Sequence, residues 1–179
     1  MSRIGRKPIS FCKSIDVSMI GSTLKVIGTE GQLTMQISHL ISLQIEESRI
    51  FISVGKKDKA SNAIWGLTRS LIFNMIKGVN KPFSKKLTLV GPGYKAMLHD
   101  RYLILHLGYS HEIIFTYPRS VKIKCLTENV LEVLGCDKQI VSQIAAEIRS
   151  LRSPDVYKGR GIRYDDEIIV TKKGKESKK

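Results

Sequence analysis

The sequence predicts an α+β protein with two similar tandem domains, each a small, mainly antiparallel sheet covered by one helix. The first observation is an internal repeat, because a shift of 80 residues places Arg69-Ser70-Leu71 on Arg149-Ser150-Leu151 without a gap. Gly28 falls on Gly108 under the same shift. The second observation is that alternating apolar runs in each copy are followed by one apolar stripe of helical period. A sheet and a helix packed as two layers can enclose a core of this size.

Alternating apolar residues predict three strands in the first copy, through residues 24–26, 33–37 and 50–54. Gly28 and Gly31 supply a turn between the first two strands. The period then changes to that of a helix, with Asp58 as its N-cap and Gly78 as its stop. The apolar stripe of this helix consists of Ala60, Ile64, Leu67, Leu71 and Met75.

The second copy repeats this plan. Its predicted strands are Lys86–Val90, Ala96–His99, Tyr102–Leu107, Ile113–Tyr117, Val121–Leu126 and Leu131–Leu134. A helix capped by Asp137 follows, with the stripe Ile140, Ile144, Ile148 and Leu151, and Pro154 ends it. The glycine, proline and lysines of GVNKPFSKK (78–86) mark a boundary, which gives a first domain of residues 1–81 and a second domain of residues 82–179.

The composition is basic along the whole chain. Thirty Lys and Arg against 16 Asp and Glu give a net charge of +14 and an isoelectric point near 9.8. Residues 1–81 carry 12 basic and 5 acidic groups, and residues 82–179 carry 18 and 11, so each part contributes +7. Such a charge favours a polyanionic partner, above all nucleic acid. An anionic membrane, an acidic protein and a merely basic enzyme are the alternatives.

Cys12, Cys125 and Cys136 are odd in number and form no CxxC pair. We therefore expect reduced, mostly packed thiols in an intracellular protein. The N-terminal MSRIGRKPIS lacks the apolar stretch of a signal peptide, and no apolar run has membrane-spanning length. The expected location is a cytosol or an organelle that encodes the protein.

The segment GPGYKA (91–96) follows a predicted strand and fits the glycine fingerprint of dinucleotide-binding loops. That use requires a helix after the glycines, because the helix N-terminus holds the pyrophosphate. The next residues, MLHDRYLILHL, alternate around Asp100-Arg101, which predicts a hairpin instead. A nucleotide cofactor is therefore disfavoured against two other interpretations: a glycine loop that lets the backbone approach RNA, or a purely structural turn.

Metal binding and catalysis are also disfavoured. Asp165-Asp166-Glu167 could offer oxygen ligands to Mg²⁺, but adjacent side chains point in different directions, so charge balance for nearby Lys and Arg is the favoured interpretation. The four histidines share no ligand spacing with one another or with the cysteines, and no arrangement for nucleophilic or general-base catalysis is recognisable. Trp65 lies off the predicted helical stripe and is expected to pack against the sheet rather than to stack on a base.

The C-terminal segment SPDVYKGRGIRYDDEIIVTKKGKESKK (153–179) combines charge, glycine and aromatic residues. Gly159 and Gly161 lack side chains, so the backbone can follow a phosphate surface closely. Tyr157 and Tyr164 offer flat faces for stacking or ribose contact. A strand is predicted over Glu167–Thr171. The alternative is a solvated basic terminus that binds nothing specific.

The stretch PDVYKGRGIRYDDEIIVTKKGK (154–175) resembles the C-terminal signature of the bacterial-type large-subunit ribosomal protein L-six family, which reads Pro-x-x-Tyr-Lys-Gly-Lys-Gly-Ile/Val-Arg-Tyr. MSRIGRKPI, GPGYKA, LGYSH (107–111) and DKQIVSQIAAEIRSLR resemble other segments of the family, so the resemblance spans essentially the whole chain. Pro92, Ser153 and Arg160 depart from its usual valine, proline and lysine. The resemblance implies a twin-domain protein without enzymatic activity. It further implies binding to 23S-type ribosomal RNA near the sarcin–ricin stem-loop and the translation-factor docking region, mostly through the second domain and tail.

We therefore expect a structural RNA-binding component of the large ribosomal subunit, in a bacterium or encoded by an organelle. The expected partners are 23S-type ribosomal RNA and neighbouring large-subunit proteins, with no cofactor, metal, membrane or small-molecule substrate. The expected RNA-binding residues are Gly91, Gly93, Tyr94, Lys95, Tyr109, Tyr157, Lys158, Gly159, Arg160, Gly161, Arg163, Lys172, Lys173 and Lys175. An enzyme with a nucleotide cofactor and a free-standing RNA-binding regulator are the rival interpretations.

Overall fold

The computed structural model describes residues 3–12, 14–55 and 58–174 of the 179-residue chain. The chain forms two compact units. Unit 1 comprises Met1–Phe83 with Cys136–Lys138, and unit 2 comprises Ser84–Gly135 with Gln139–Lys179. Neither described helix combines the length and the apolar composition needed to cross a membrane.

Unit 1 consists of six strands and one helix among its described residues. In chain order they are β1 (Ile9–Ser10), β2 (Asp16–Ile20), β3 (Thr23–Gly28), β4 (Gly31–Gln36), β5 (Ile41–Ile45), β6 (Arg49–Val54) and α1 (Lys59–Asn80). The strands form two three-stranded antiparallel sheets, with the orders β1-β6-β5 and β2-β3-β4. Alternation along the strands fully buries Leu24, Val26 and Ile50, and Ile72 and Val79 of α1 complete this core.

The three strands that alternation predicts in the first copy are confirmed as β3, β4 and β6, with Gly28 opposite Gly31 at the turn. Alternation does not predict β2 and β5, because each has several half-buried or exposed positions and no clear difference between its two faces. The two-residue strand β1 is too short to give a pattern.

Helix α1 differs from its prediction in two respects. It continues through Gly78 to Asn80, so the predicted stop at Gly78 is wrong. The predicted stripe is confirmed for Met75, which is buried, and for Ile64, which packs against the core, but it is wrong for Leu67, which is 58% exposed. Ser61 and Thr68 are buried instead. The buried face is displaced by one residue, or about 100° around the helix. Since small polar residues occupy part of that face, hydrophobicity alone does not reveal it.

Trp65 lies on the displaced face of α1 and packs against the core of unit 1. Its indole Nε1 donates a hydrogen bond to the Ile52 carbonyl at 2.8 Å. The prediction that Trp65 packs against the sheet is therefore confirmed, as is the N-cap position of Asp58.

None of the three cysteines forms a disulfide bond among the described residues. Cys125 and Cys136 are half-buried, but Cys12 is exposed, so the expectation of packed thiols is wrong for Cys12. Burial raises the pKa of the Cys125 thiol, and a backbone hydrogen bond from Leu98 acts in the opposite direction.

Unit 2 repeats the element order of unit 1 and adds one strand after its helix. Its elements are β7 (Phe83–Val90), β8 (Lys95–Leu98), β9 (Tyr102–His106), β10 (Ile113–Thr116), β11 (Val121–Thr127), β12 (Val130–Gly135), α2 (Lys138–Leu151) and β13 (Gly161–Tyr164). They form a three-stranded sheet, β10-β9-β8, and a four-stranded sheet, β11-β12-β7-β13. The six strands and the helix that the sequence predicts before Pro154 are confirmed.

The C-terminal strand lies earlier in the chain than predicted. Strand β13 pairs with β7, and its Ile162 is fully buried opposite Leu89. Glu167–Thr171 is not a strand, so that prediction is wrong. Ile168 and Val170 are 91% and 82% exposed, because the alternating apolar residues of this segment find no sheet partner among the described residues.

Candidate nucleic-acid interface

The glycine loop of unit 2 joins β7 to β8 through a tight turn. The Tyr94 N–H donates to the Gly91 carbonyl at 3.4 Å, and Gly93 has a φ of +72°. This left-handed conformation suits glycine, because a residue with a Cβ would be strained there. The chain then enters β8, which pairs with β9 as the predicted hairpin. No helix follows the glycines, so the loop lacks the feature that a dinucleotide site requires.

Tyr94 is the packing centre of this loop. A Cβ atom on Gly91 would lie 2.8 Å from the Tyr94 ring, and one on Gly108 would lie 3.1 Å from it. Only 7% of Tyr94 is exposed. The expected contact of Tyr94 with RNA therefore does not fit the structure as a ring contact, because protein already covers the ring. Gly91 likewise makes room for Tyr94, whereas Gly93 faces open space.

Arg152 and Tyr109 form a cation–aromatic pair beside this loop. The guanidinium carbon of Arg152 lies 4.7 Å from the centre of the Tyr109 ring. The Tyr109 hydroxyl donates to the Leu151 carbonyl at 3.0 Å, which fixes the ring against the end of α2. Hydrogen bonds with Tyr109 and then Tyr94 raise the pKa of Arg152, whose guanidinium is a cation at any ordinary pH. Tyr109 is 41% exposed, although the His111 ring also stacks on it at 5.9 Å.

The residues after α2 form an ordered turn. The Asp155 N–H donates to the Arg160 carbonyl at 2.8 Å, and the Gly159 N–H donates to the Asp155 carbonyl at 2.9 Å. The Asp155 carboxylate accepts a further hydrogen bond from the Lys158 N–H at 3.2 Å. Gly159 has a φ of +64° and open space around it. The turn thus presents Lys158 and Arg160 on a backbone that is held in one conformation.

Gly161 ends this turn where the chain is closely packed. Its φ is +147°, and a Cβ atom there would lie 2.7 Å from Pro154 Cα and from the Ser153 carbonyl oxygen. The Ile162 N–H donates to the Arg152 carbonyl at 2.8 Å. Gly161 therefore closes the turn by close packing. The predicted close approach of RNA to the backbone is sterically possible at Gly159, which has open space around it.

The loop and the turn line one cleft, here called the tail cleft, with a volume of about 640 Å³. Its lining residues are Pro92, Tyr94, Gly108, Arg152, Ser153, Asp155, Lys158 and Arg160. Three cations face one carboxylate, so the cleft attracts anions. It brings together three segments that the sequence analysis singled out separately: GPGYKA, LGYSH and the basic tail.

The other predicted residues lie outside the lining of the tail cleft. Lys95 forms an exposed ion pair with Glu128 at 3.1 Å. Tyr157 is 59% exposed, and Arg163 is half-buried on β13. Lys172 and Lys173 are exposed, and the Lys172 N–H donates to the Val156 carbonyl at 2.8 Å, which holds the tail next to the turn. Lys175 lies outside the described residues.

Arg149 and Glu167 anchor the tail to α2. The Arg149 Nε donates to Glu167 Oε2 at 2.8 Å, and its second nitrogen pairs with Oε1. The Tyr164 N–H also donates to Glu167 Oε2, at 3.2 Å. The hydrogen bonds from Arg149 lower the pKa of Glu167. The predicted charge balance in the acidic cluster is thus confirmed for Glu167, and no cluster of potential metal ligands occurs in the described part of the chain.

Sequence reasoning missed Arg152, Asp155 and the anchoring role of Arg149. Arg152 lies between the helical stripe and Pro154, and Ser-Pro-Asp is a typical start of a turn. A turn prediction at Pro154 could therefore have placed Arg152 and Asp155 at the same site. The partner of Arg149 is 18 residues away, so no local pattern indicates it.

Fold and cleft together define a two-domain α+β protein with a basic surface suited to nucleic acid. The sequence model of the family described as ribosomal protein L6 matches residues 11–81 and 90–165. The large ribosomal subunit protein uL6 of Rhodospirillum centenum is 40% identical over 176 residues, which cover 98% of this chain and 99% of that protein. The uL6 of Hydrogenobaculum sp. is 41% identical, with 100% and 98% covered, and the uL6c of Porphyra purpurea is 41% identical, with 99% of each covered. The chain belongs to the ribosomal protein L6 family.

This membership confirms the resemblance seen in the sequence and the tandem α+β fold, since the family match falls in two parts. It makes the chain a structural ribosomal protein and not an enzyme. It also confirms the expected location, the ribosome of a bacterium or of an organelle.

Proposed function

We propose that this protein is a structural component of the large ribosomal subunit that binds 23S-type ribosomal RNA through the tail cleft and the adjoining basic tail. The observation that carries the proposal is the convergence of Arg152, Lys158 and Arg160 on one open cleft. Lys and Arg supply most of the affinity of proteins for RNA, because they neutralise phosphates. The relatives are named as proteins of the large ribosomal subunit, and their names support the proposal that this chain belongs to the same subunit.

The backbone around the tail cleft suits a close approach of RNA. Gly93 and Gly159 both have left-handed φ values and open space where a side chain would be. A phosphate or ribose can thus approach the main chain at these two points. Tyr109 and Tyr157 keep exposed ring surface for ribose contact or stacking.

We place the bound RNA near the sarcin–ricin stem-loop and the translation-factor docking region. The support for this position is the resemblance of residues 154–175 to the family signature, together with the location of that signature at the tail cleft. Neighbouring large-subunit proteins are further proposed partners. The enzyme alternative loses its support because a strand, not a helix, follows GPGYKA.

Binding to deproteinised large-subunit RNA tests the proposal. With about six phosphate contacts, the slope of log K against log salt concentration should be steeper than roughly −4. The double variant Lys158→Gln/Arg160→Gln should bind at least about tenfold more weakly at fixed salt, with a slope shallower by about 1.5. A matched control, Arg49→Gln/Lys59→Gln, removes the same charge from exposed sites in unit 1.

A slope near zero for the natural chain would remove RNA as the partner. Equal losses in the two double variants would show that net charge matters and the tail cleft does not. Co-sedimentation with large subunits at moderate salt separates a ribosomal component from a free-standing RNA-binding regulator.

A further inference from the structure

A second basic cleft lies at the opposite end of the β8–β9 hairpin and is here called the hairpin cleft. Its volume is about 860 Å³, and it is formed by the turn after β8, the connection from β10 to β11, and β11 itself. Its charged lining residues are Arg101, Arg119, Lys122, Lys124 and one acid, Asp100. None of these residues belongs to the tail cleft.

The secondary structure fixes where the cations of the hairpin cleft point. Strand β11 is the outer strand of its sheet. Alternation buries Val121 and Ile123 and leaves Lys122 and Lys124 exposed on the other face. The two lysines are therefore held about 7 Å apart on one strand, since they are two positions apart in the sequence.

The two arginines sit in tight turns. The His99 N–H donates to the Tyr102 carbonyl at 2.9 Å and closes the turn that carries Arg101. The Val121 N–H donates to the Pro118 carbonyl at 3.1 Å and closes the turn that carries Arg119. All four cations therefore project from backbone that is fixed by hydrogen bonds.

No ion pair with another described residue neutralises these four charges. Among the described residues, the basic members of the ion pairs in unit 2 are Lys95, His106 and Arg149. None of the four basic residues of the hairpin cleft has a described acidic side chain within ion-pair distance. Four cations against one acid leave a net charge of +3 around one concave surface.

Tyr117 gives the hairpin cleft an aromatic wall that is half-buried. Burial, followed by the neighbouring Cys125, raises the pKa of the Tyr117 phenol, which therefore stays protonated and can donate a hydrogen bond. Fixed cations beside a phenol and an apolar floor form the combination that contacts phosphate and ribose in RNA-binding proteins.

We propose that the hairpin cleft binds the phosphate backbone of a second RNA segment, separate from the segment at the tail cleft. The inference rests on the proposed RNA-binding function. The four residues of β8 separate the two clefts by roughly 13 Å, so different phosphates are neutralised at the two ends of the hairpin. An RNA backbone is favoured over an acidic protein segment because it offers a continuous row of charges to four spaced cations.

The test compares three variants of the full chain. The hairpin-cleft variant is Arg101→Gln/Arg119→Gln/Lys122→Gln/Lys124→Gln, and the tail-cleft variant is Lys158→Gln/Arg160→Gln. The matched control, Lys7→Gln/Arg49→Gln/Lys59→Gln/Lys81→Gln, removes four exposed cations from unit 1. Affinity for deproteinised large-subunit RNA is measured against salt, and hydroxyl-radical footprinting locates the protected nucleotides.

We expect the hairpin-cleft variant to bind at least about tenfold more weakly than the natural chain, with a salt slope shallower by about 3. It should lose protection of an RNA segment that the tail-cleft variant still protects. If the fourfold variant melts at a lower temperature, Lys122→Gln/Lys124→Gln replaces it, with half the change in slope expected, because both side chains are exposed on β11.

Three results would overturn the inference: an equal loss in the control, loss of the same footprint in both cleft variants, or unchanged RNA binding with failed incorporation into subunits. The last result would assign the cleft to a protein partner. If only the tail-cleft variant loses binding, the proposed function stands and this inference fails. Absence of salt-dependent binding by the natural chain would overturn both.

Discussion

The corresponding glycines of the two units, Gly28 and Gly108, pack against different parts of the structure. In unit 1, Gly28 at the end of β3 packs against the end of α1, where a Cβ atom would lie 2.3 Å from Val79 Cγ1. The Glu30 N–H donates to the Val79 carbonyl at 3.1 Å. In unit 2, the corresponding Gly108 packs against Tyr94 and lines the tail cleft. The same hairpin end is thus covered by a helix in one unit and borders a cationic cleft in the other.

Helix length explains this difference. Helix α1 has 22 residues, whereas α2 has 14 and ends at Leu151, three residues before Pro154. Residues 155–160 correspond to 75–80 of α1 and form the ordered turn instead of further helix. The shorter helix therefore leaves the segment that carries Lys158 and Arg160 outside the helix, and the additional strand β13 follows this segment in unit 2.

The prediction with the largest expected effect on stability concerns the turn of unit 2 that Gly161 closes. Gly161→Ala should lower the free energy of unfolding by about 3 kcal/mol, because it adds both an unfavourable φ and a clash with the backbone of residues 153–154. Gly159→Ala is the control, since it carries only the left-handed penalty of about 1–2 kcal/mol in open space. Equal losses in urea unfolding would show that packing against Ser153 and Pro154 does not hold the turn.

The prediction with the next largest effect concerns Gly28, the position in unit 1 that α1 covers. Gly28→Ala should cost about 2 kcal/mol, because the new Cβ overlaps Val79. Val79→Ala removes the overlapping methyl group, so the double variant should be more stable than the sum of the single effects predicts, by at least about 0.5 kcal/mol. Additive effects in a double-mutant cycle would contradict the contact between Gly28 and Val79.

A third prediction separates the tail from the tail cleft. Termination after Glu167 removes Lys172, Lys173, Lys175, Lys178, Lys179 and Glu176, which lowers the net charge by four. The melting temperature should hardly change, because β13 and the Arg149–Glu167 pair remain. RNA affinity should fall by about tenfold, with a shallower salt slope. A truncation after Val156 would be a poorer test, since it also removes the buried Ile162. A large drop in the melting temperature of the shorter truncation would contradict a purely binding role for residues 168–179.

The sequence predicts those features that depend on local patterns. The strands of unit 2, the hairpin after GPGYKA and the helix end before Pro154 follow from alternation and proline chemistry. The face of α1 does not, because Ser61 and Thr68 are buried through tertiary packing. The segment Glu167–Thr171 has a strand pattern but pairs with no strand among the described residues.

In the candidate site, too, local patterns predict some features, whereas others depend on tertiary contacts. Glycines, tyrosines and basic residues of the tail can be chosen by residue type, but their separate roles depend on contacts between distant segments. Gly91 and Gly93 are two residues apart, yet one accommodates the Tyr94 ring and the other faces open space. Such a distinction needs the position of Tyr94, which no local pattern provides.

The smallest expected effect concerns a pair of equivalent arginines in the two units. In unit 1, Arg69 donates to the neutral Lys7 carbonyl at 3.4 Å and lies over Phe73. In unit 2, the corresponding Arg149 pairs with the Glu167 carboxylate. Only the second contact contains a group that loses its charge in acid, so only unit 2 should have a pH-dependent contribution from this position.

The direction of that dependence follows from the lowered pKa of Glu167 in the folded protein. Its contribution to stability is complete above the unfolded pKa of glutamate, near 4.3, and is lost as pH falls through the folded value. Because both side chains are partly exposed, the contribution should stay below about 1 kcal/mol. Glu167→Gln should therefore lower the melting temperature slightly at neutral pH, and the difference from the natural chain should vanish in strong acid. Arg69→Gln should show a difference that does not depend on pH, and persistence of the Glu167→Gln difference in acid would mean that shape, not charge, holds the tail against α2.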